Sequence, residues 1–530
     1  MSVQTRKSTA ADVDALLEAL GPMKKYEVLQ LTVYSLGHLA CAFQLFGIVF
    51  VGQDVSHTCS PPTNLTSSGD ALNLEPFEVA SPRFNVSYDP VHQRWPSERE
   101  QNNFSIGLTY GKCKIYSTHI AESGNSTSTN PCVFGYSYTG SRESSVVSEF
   151  DLVCNRAPLL GLSQTLLIIG QGVGSFLLPA MADRWGRKRM HIIAQALLFA
   201  SGIGLAFAPN FIVFAVMKFV VGCGQIGARL TNMTATVELF PARYRARVAA
   251  VFSGIVWACC MAVMSPLAYW VRFESWRVLQ LVLTSTSLLG IVQLLILDEP
   301  IRWLLANNKQ PQALKAIRGA SRLNKRNADS LEEHVRSLMS SPNDKVANSG
   351  NFTSREAGKV KGENLAAKRI GAVDILKHGR MRVHVVGACV LWFVNSFTYF
   401  ALFLTSSSLA GDKYVNFVLL AVVEIPSCIV YSFTLDRYGR KPTLIMFHAL
   451  AGVGLIASCI CQVFAVENST IAALSTALSM VGKFGVTGSL NVTFAYTTEL
   501  FPTNCRNLGL GAASAAGRLG GMISPFAGLL

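Results

Sequence analysis

Three ionisable residues lie deep inside long apolar runs of this chain: Arg229, Glu424 and Arg518. A charge near the centre of a bilayer costs roughly 2.5 kcal/mol or more, so it marks a place where something is bound, paired or conducted. Helix rise gives the depths. Arg229 precedes the boundary residue Glu238 by nine positions, about 13 Å of helix. Glu424 lies twelve positions before Asp436, and Arg518 twelve after Arg506, about 18 Å in each case. Two readings compete. The trio is either an internal salt-bridge network or a site for an organic ion, and one acid cannot neutralise two bases. The surplus positive charge favours a site that accepts a carboxylate. Lys218 and Lys483 sit further out in their runs, where a long side chain can snorkel to water.

Aromatic faces are the other half of an organic-ion pocket, through stacking and cation–π attraction. Trp392, Tyr399 and Phe403 are spaced near one and two helical turns and so share one face. A lipid-facing or interfacial belt is the alternative for any single aromatic residue. Trp257 is a weaker candidate. Gln44 in the first run is a polar one, and His38 reads as a packed helix residue.

A second kind of chemistry lies between the runs. "DRWGRK" at Asp183–Lys188 returns as "DRYGRK" at Asp436–Lys441, and "ELFPARYR" at Glu238–Arg245 returns as "ELFPTNCR" at Glu499–Arg506. Both pairs recur at nearly the same offset. Asp183 and Asp436 are suited to cap or pair at a helix end, and Gly186 and Gly439 to a tight turn. Arg184, Arg187, Arg437 and Arg440 supply charged donors; Glu238, Arg245, Glu499 and Arg506 are the opposing set. The duplication predicts a patch that latches two similar halves together on the inner side and releases them as they rock. The plainer alternative is that these charges only set topology.

Positioning such groups requires many long helices. The chain has 530 residues, 50% hydrophobic and 15% charged, against about 25% charged in an average soluble domain. A bilayer supplies the missing solvent. The net charge of +14 is not gathered into one basic domain, which argues against nucleic acid. Apolar runs fall at Leu29–Val51, Leu159–Ala182, His191–Ala208, Phe211–Val237, Val248–Val271 and Val278–Leu297, then at Val383–Leu404, Val415–Leu435, Thr443–Val466, Ile471–Thr497 and Leu508–Leu530. They lack two-residue alternation, so the expected class is an all-α multi-pass membrane protein with eleven spans. Residues 1–28 are polar and precede a run too long for a signal core, so the first run is expected to remain as an anchor.

Two intervals are long. Residues 52–158 carry sequons at Asn64, Asn85, Asn103 and Asn125, together with Cys59, Cys113, Cys132 and Cys154. An even cysteine count among sequons predicts an extracellular, glycosylated loop with two disulfides, for which three pairings exist. Residues 298–382 are basic and free of cysteine, and read as cytoplasmic, as does the N-terminus. Spans 2–6 then occupy 159–297 and spans 7–11 occupy 383–530. No phosphate loop, H-E-x-x-H or paired C-x-x-C motif is present. An enzyme, a cofactor and a metal are therefore not expected. Parallel repeats of this kind place a substrate site between the halves, near the midplane.

The twofold D-R-x-G-R-K turn resembles the major facilitator superfamily, a two-halved helical bundle. Within it, the chain is similar to the organic-ion transporters of solute carrier family 22. The large cysteine loop, "DEPIRWLL" at Asp298–Leu305, the long loop after it and "ELFPTNCRN" at Glu499–Asn507 carry that likeness. "GDKYVNF" at Gly411–Phe417, "VEIP" at Val423–Pro426 and "GKFGVT" at Gly482–Thr487 are most similar to the organic cation/carnitine branch. The resemblance implies alternating-access transport of small organic ions at the plasma membrane, with Glu424, Arg518, Trp392 and Tyr399 at cavity positions. An acid at the position of Arg518 marks organic cation carriers, and arginine marks anion and carnitine-type carriers. Arg229 stands where the family commonly has an aromatic or neutral residue, and Gln44 where the carnitine branch tends to have Asn. The family has twelve spans, and eleven are visible here. Two alternatives stay open: a sodium- or proton-coupled carnitine or zwitterion symporter, and a shortened, non-transporting regulatory membrane protein. The sequence does not identify a coupling ion.

Overall fold

The computed structural model describes residues 12–61, 105–121, 124–339, 379–464, 468–501 and 506–529. It divides into two compact units, one of Met1–Phe50 with Gly161–Leu530 and the other of Val51–Leu160.

The larger unit is helical because a bilayer offers no partner for backbone amides and carbonyls, so each segment must satisfy its own. Its first half comprises α1 (residues 12–20), α2 (Lys25–Phe46), α3 (Pro158–Trp185), α4 (Arg187–Ala206), α5 (Phe211–Glu238), α6 (Ala242–Val251), α7 (Trp257–Trp270), α8 (Trp276–Ser285) and α9 (Leu289–Ile296). Three short helices follow: α10 (Ile301–Ala306), α11 (Gln310–Asn324) and α12 (Ala328–Met339). The second half has α13 (Gly379–Leu404), α14 (Lys413–Val422), α15 (Glu424–Tyr438), α16 (Arg440–Phe464), α17 (Ser469–Leu500) and α18 (Arg506–Ile523). Among the described residues, nine helices are long and apolar enough to cross a membrane, against the eleven expected. The fifth run gives the shorter apolar helix Gly254–Trp270, and a π-helical turn lies at Phe252–Val256. The eleventh run gives α18, which falls outside the nine.

The first half has a polar interior in which side chains bond across helices. The amide of Asn232 donates to the Tyr34 carbonyl at 2.7 Å, that of Gln293 to the Val33 carbonyl at 2.9 Å, and Gln293 Oε1 lies 2.9 Å from His191 Nε2. At the end of the bundle that bears both D-R-x-G-R-K turns, the basic end, α1 packs with α10, α11 and α12. Leu16, Leu17, Leu20, Trp303, Ile317 and Val335 form that small core. Asp14 fastens it: its carboxylate accepts from Arg245 at 2.9 Å, from the Ala242 amide at 3.2 Å and from Arg302. Burial raises the Asp298 carboxyl above its usual range, opposed by the Tyr26 hydroxyl, which donates to it at 3.2 Å.

The halves meet at the opposite end. Phe46 lies 4.7 Å from Phe403 and Phe50 lies 5.1 Å from Phe417, centroid to centroid. The hydroxyls of Thr165 and Ser265 donate to the carbonyls of Met522 and Tyr414, each at 2.7 Å.

The smaller unit contains a two-stranded antiparallel pair, β1 (His57–Cys59) with β5 (Tyr136–Tyr138), and a meander of β2 (Ser105–Tyr110), β3 (Lys114–Ala121) and β4 (Gly124–Pro131). Of the three pairings open to the sequence, the structure has Cys59–Cys132 and Cys113–Cys154. Each closes a long loop on a unit too small for a substantial core. Asn125 lies in β4 opposite Ile120; Asn64, Asn85 and Asn103 lie outside the described residues.

Candidate functional site

Between the two halves, one line of side chains runs from α5 to α17. It starts at Arg229, whose guanidinium carbon stands 4.5 Å from the Trp257 ring centroid. Trp257 Nε1 donates to the Tyr399 hydroxyl at 3.1 Å, which carries the line from the first half into the second. The Tyr399 hydroxyl in turn reaches the Glu424 carboxylate. Lys483 Nζ lies 2.8 Å from Glu424 Oε1, 3.5 Å from the Tyr399 centroid and 3.9 Å from the Phe403 centroid.

Local sequence explains how these groups come to face one another. Pro426 has no amide proton to offer Val422, and the span breaks between α14 and α15 at Val423. Glu424 therefore sits in the first turn of a new helix, where exposed amides and the helix dipole favour a carboxylate. Interrupted helices at mid-membrane are where transporters of this architecture build their sites. The π-turn before Trp257 is a break of the same kind.

Lys483 departs from expectation. It does not snorkel: it is fully buried and paired with the equally buried Glu424. Counting residues gives depth but not azimuth, and α17 turns this position inward. Lys218 is likewise 2% exposed. The acid of the expected trio is thus already neutralised. Arg229 and Arg518 form no ion pair with any described residue, and they lie close enough for their charges to repel.

The other candidates divide. Tyr399 and Phe403 join the central line, and Trp257 proves central to it. Trp392 packs near Ala388, Phe501 and Ala513 and donates its indole N–H to Thr497 at 3.0 Å. Gln44 does not face an open cavity. Its amide donates to Thr284 at 3.0 Å and its carbonyl accepts from Gln280 at 3.1 Å, both within the first half.

Among the described residues, the duplicated turns do not bridge the halves in this conformation. Arg187 binds Asp183 at 2.6 Å and Glu238 at 3.2 Å, all in the first half, and Arg245 turns to Asp14. Arg440 grips Glu499 with two bonds of 2.8 Å, both residues in the second half. Arg184, Asp436 and Arg437 are exposed, and Arg506 begins α18. Gly186 and Gly439 make the turns with φ of +116° and +82°. With the opposite end closed by aromatic rings, a latch that joins the halves at the basic end has no partner to hold here.

Fold and motif define a class that comparison with known proteins supports. The sequence profile of the Major Facilitator Superfamily matches residues 148–525, and the chain belongs to that superfamily. A partially occluded, inward-open structure of the xylose transporter XylE from E. coli has the same fold, with a TM-score of 0.53, 15% identity, and coverage of 94% of this chain and 92% of that one. Within the superfamily the chain belongs to solute carrier family 22. It is 28% identical to an organic cation transporter protein of Drosophila melanogaster over 98% of its own length and 86% of that protein. It is 30% identical to human solute carrier family 22 member 13 over 76% of its length and 67% of that protein, and 30% identical to organic anion transporter 3 of Sus scrofa over 75% and 68%. It is a multi-pass membrane transporter and not an enzyme.

Proposed function

We propose that this transporter carries small organic anions, and zwitterions through their carboxylate, by alternating access at the plasma membrane. One observation carries the reading: Lys483 neutralises Glu424, which leaves Arg229 on one half and Arg518 on the other without a counter-charge among the described residues. In a low-dielectric cavity that surplus attracts a carboxylate and repels a compact cation. The rings of Trp257 and Tyr399 lie alongside and suit an aromatic or aliphatic body. Relatives named for organic cations and for organic anions both occur, so charge selection rests on these residues. In this reading the N-terminus and residues 298–382 are cytoplasmic, and residues 52–158 are extracellular and glycosylated at Asn64, Asn85, Asn103 and Asn125.

The test is uptake into cells expressing the full chain, scored against surface abundance. The panel contains a labelled aromatic carboxylate, a trimethylammonium carboxylate and a tetraalkylammonium ion. The carboxylate should be carried best and the tetraalkylammonium ion worst, and Arg518→Asp should invert that order. A wild type that carries tetraalkylammonium ions well and ignores carboxylates, with the order unmoved by Arg518→Asp, would end this account.

A further inference from the structure

A cavity at the basic end takes no part in transport as described above. It has a volume of about 410 Å³ and is lined by Met23, Lys24, Lys25, Val28, Leu323, Asn324 and Lys325. We infer that it is a binding site for the phosphorylated headgroup of an anionic lipid of the inner leaflet. The inference rests on the cytoplasmic assignment of the basic end made above.

Three observations converge on it. The first is position. Lys25 opens the first membrane-crossing helix, so the cavity lies at the level where headgroups meet the protein. The second is charge. Lys24, Lys25 and Lys325 come from two segments distant in sequence, α2 with its approach and the end of α11, and gather around one space. The carboxylate beside them, Glu27, is turned inward and is 3% exposed. The side-chain amide of Asn324 donates to its two oxygens at 3.0 and 3.2 Å. It is thus occupied, while the three lysines are exposed. The third is the apolar wall: Met23, Val28 and Leu323 are 54%, 45% and 40% exposed, and Leu29 continues the same surface up the span at 40%. Lysine around an apolar slot fits a molecule with a polyanionic head and a hydrocarbon tail, and fits a free phosphate less well.

The backbone agrees. Met23 and Lys325 both have positive φ, 65° and 52°. Such conformations are unfavourable for these residue types and concentrate where a structure holds side chains for binding. Lys325 also caps the C-terminus of α11, so its removal alone is a poor test.

The experiment uses the purified full chain in two sets of vesicles, phosphatidylcholine alone and phosphatidylcholine with about 5% phosphatidylinositol 4,5-bisphosphate. Lipid retained by the protein is read by native mass spectrometry. Near an anionic surface each lysine is worth about 1 kcal/mol, roughly fivefold in occupancy. The triple variant Lys24→Ala, Lys25→Ala, Lys325→Ala should lose at least tenfold of the enrichment, and the triple arginine variant should keep it. Lys309→Ala with Lys315→Ala, on the same cytoplasmic cap, should leave enrichment unchanged. Wild-type enrichment in the triple alanine variant overturns the site. An equal loss in the Lys309/Lys315 variant reduces it to non-specific surface charge. Equally tight capture of soluble inositol trisphosphate by detergent-solubilised protein makes a free phosphate the ligand and overturns the lipid. None of these readouts needs transport, so failure here leaves the proposed substrate untouched.

Discussion

The two D-R-x-G-R-K corners have almost the same sequence and different surroundings. In the first half, Arg187 is 13% exposed and holds two carboxylates, Asp183 and Glu238. Glu299 accepts from the amides of Lys188 and Arg189 at 3.0 and 3.3 Å, capping α4 from outside, and Trp303 donates to the Asp183 carbonyl at 3.1 Å. In the second half, Arg440 and Glu499 are 42% and 51% exposed and, among the described residues, pair with each other alone. The motif alone therefore does not set strength. Glu299 and Trp303, beside the cap of α1 and α10–α12, brace the first copy, whereas the second stands near solvent with less support.

The largest effect that would sharpen this contrast comes from removing the arginines. Arg187→Ala leaves the largely buried Glu238 carboxylate without its partner and releases the exposed Asp183, and should cost about 2 kcal/mol of stability. Arg440→Ala breaks an exposed pair and should cost under about 1 kcal/mol. Thermal unfolding of the purified variants in one detergent compares them, and equal losses would break the distinction. Next come the turn glycines. Both backbones lie in a region disfavoured for a side chain, at about 1–3 kcal/mol. At Gly186, however, an added Cβ would also stand 2.2 Å from Glu299 Oε1, whereas at Gly439 it meets nothing within 4 Å. Gly186→Ala should lower the unfolding temperature more than Gly439→Ala, and the reverse order would show that the Glu299 cap is not rigid. The most local effect is expected from Asp14→Ala. It removes one helix cap and the anchor of Arg245 and Arg302, about 1–2 kcal/mol. That change should appear as faster proteolysis of the first twenty residues, with little change in global unfolding.

Much of the architecture was legible because hydropathy and loop charge are one-dimensional signals. Most runs from Leu29 to Thr497 became helices with ends shifted by a few residues, the fifth being divided by a π turn, and the duplicated turns fell where the two halves correspond. The central residues were legible only by depth. Arg229, Glu424 and Arg518 stand out because charge is rare in apolar runs, but their partners depend on helix rotation, which a linear count does not carry. Lys483 was recoverable in part. It lies among Gly482, Gly485 and Gly488, and small residues at helical spacing mark a face packed against another helix. An added Cβ at Gly485 would stand 2.5 Å from the Ala451 amide nitrogen. That face could not be snorkelling toward water. The disulfide pairing and the inward turn of Gln44 were not legible, because both follow from contacts between segments far apart in sequence.

The closed end has a thermal consequence. Phe46, Phe50, Phe403, Phe417 and Tyr414 cover one another there, with Phe50 and Tyr414 stacked at 5.5 Å, and each turnover that opens this end must wet those faces. Exposing apolar surface raises heat capacity by about 0.45 cal/K/mol per Å². The balance between the two facing states is then curved in temperature and not linear. Apolar contacts weaken on cooling, so cold should shift the resting carrier toward the state open at this end. An Arrhenius plot of transport should bend, and replacing Phe50 and Phe417 with smaller residues should straighten it.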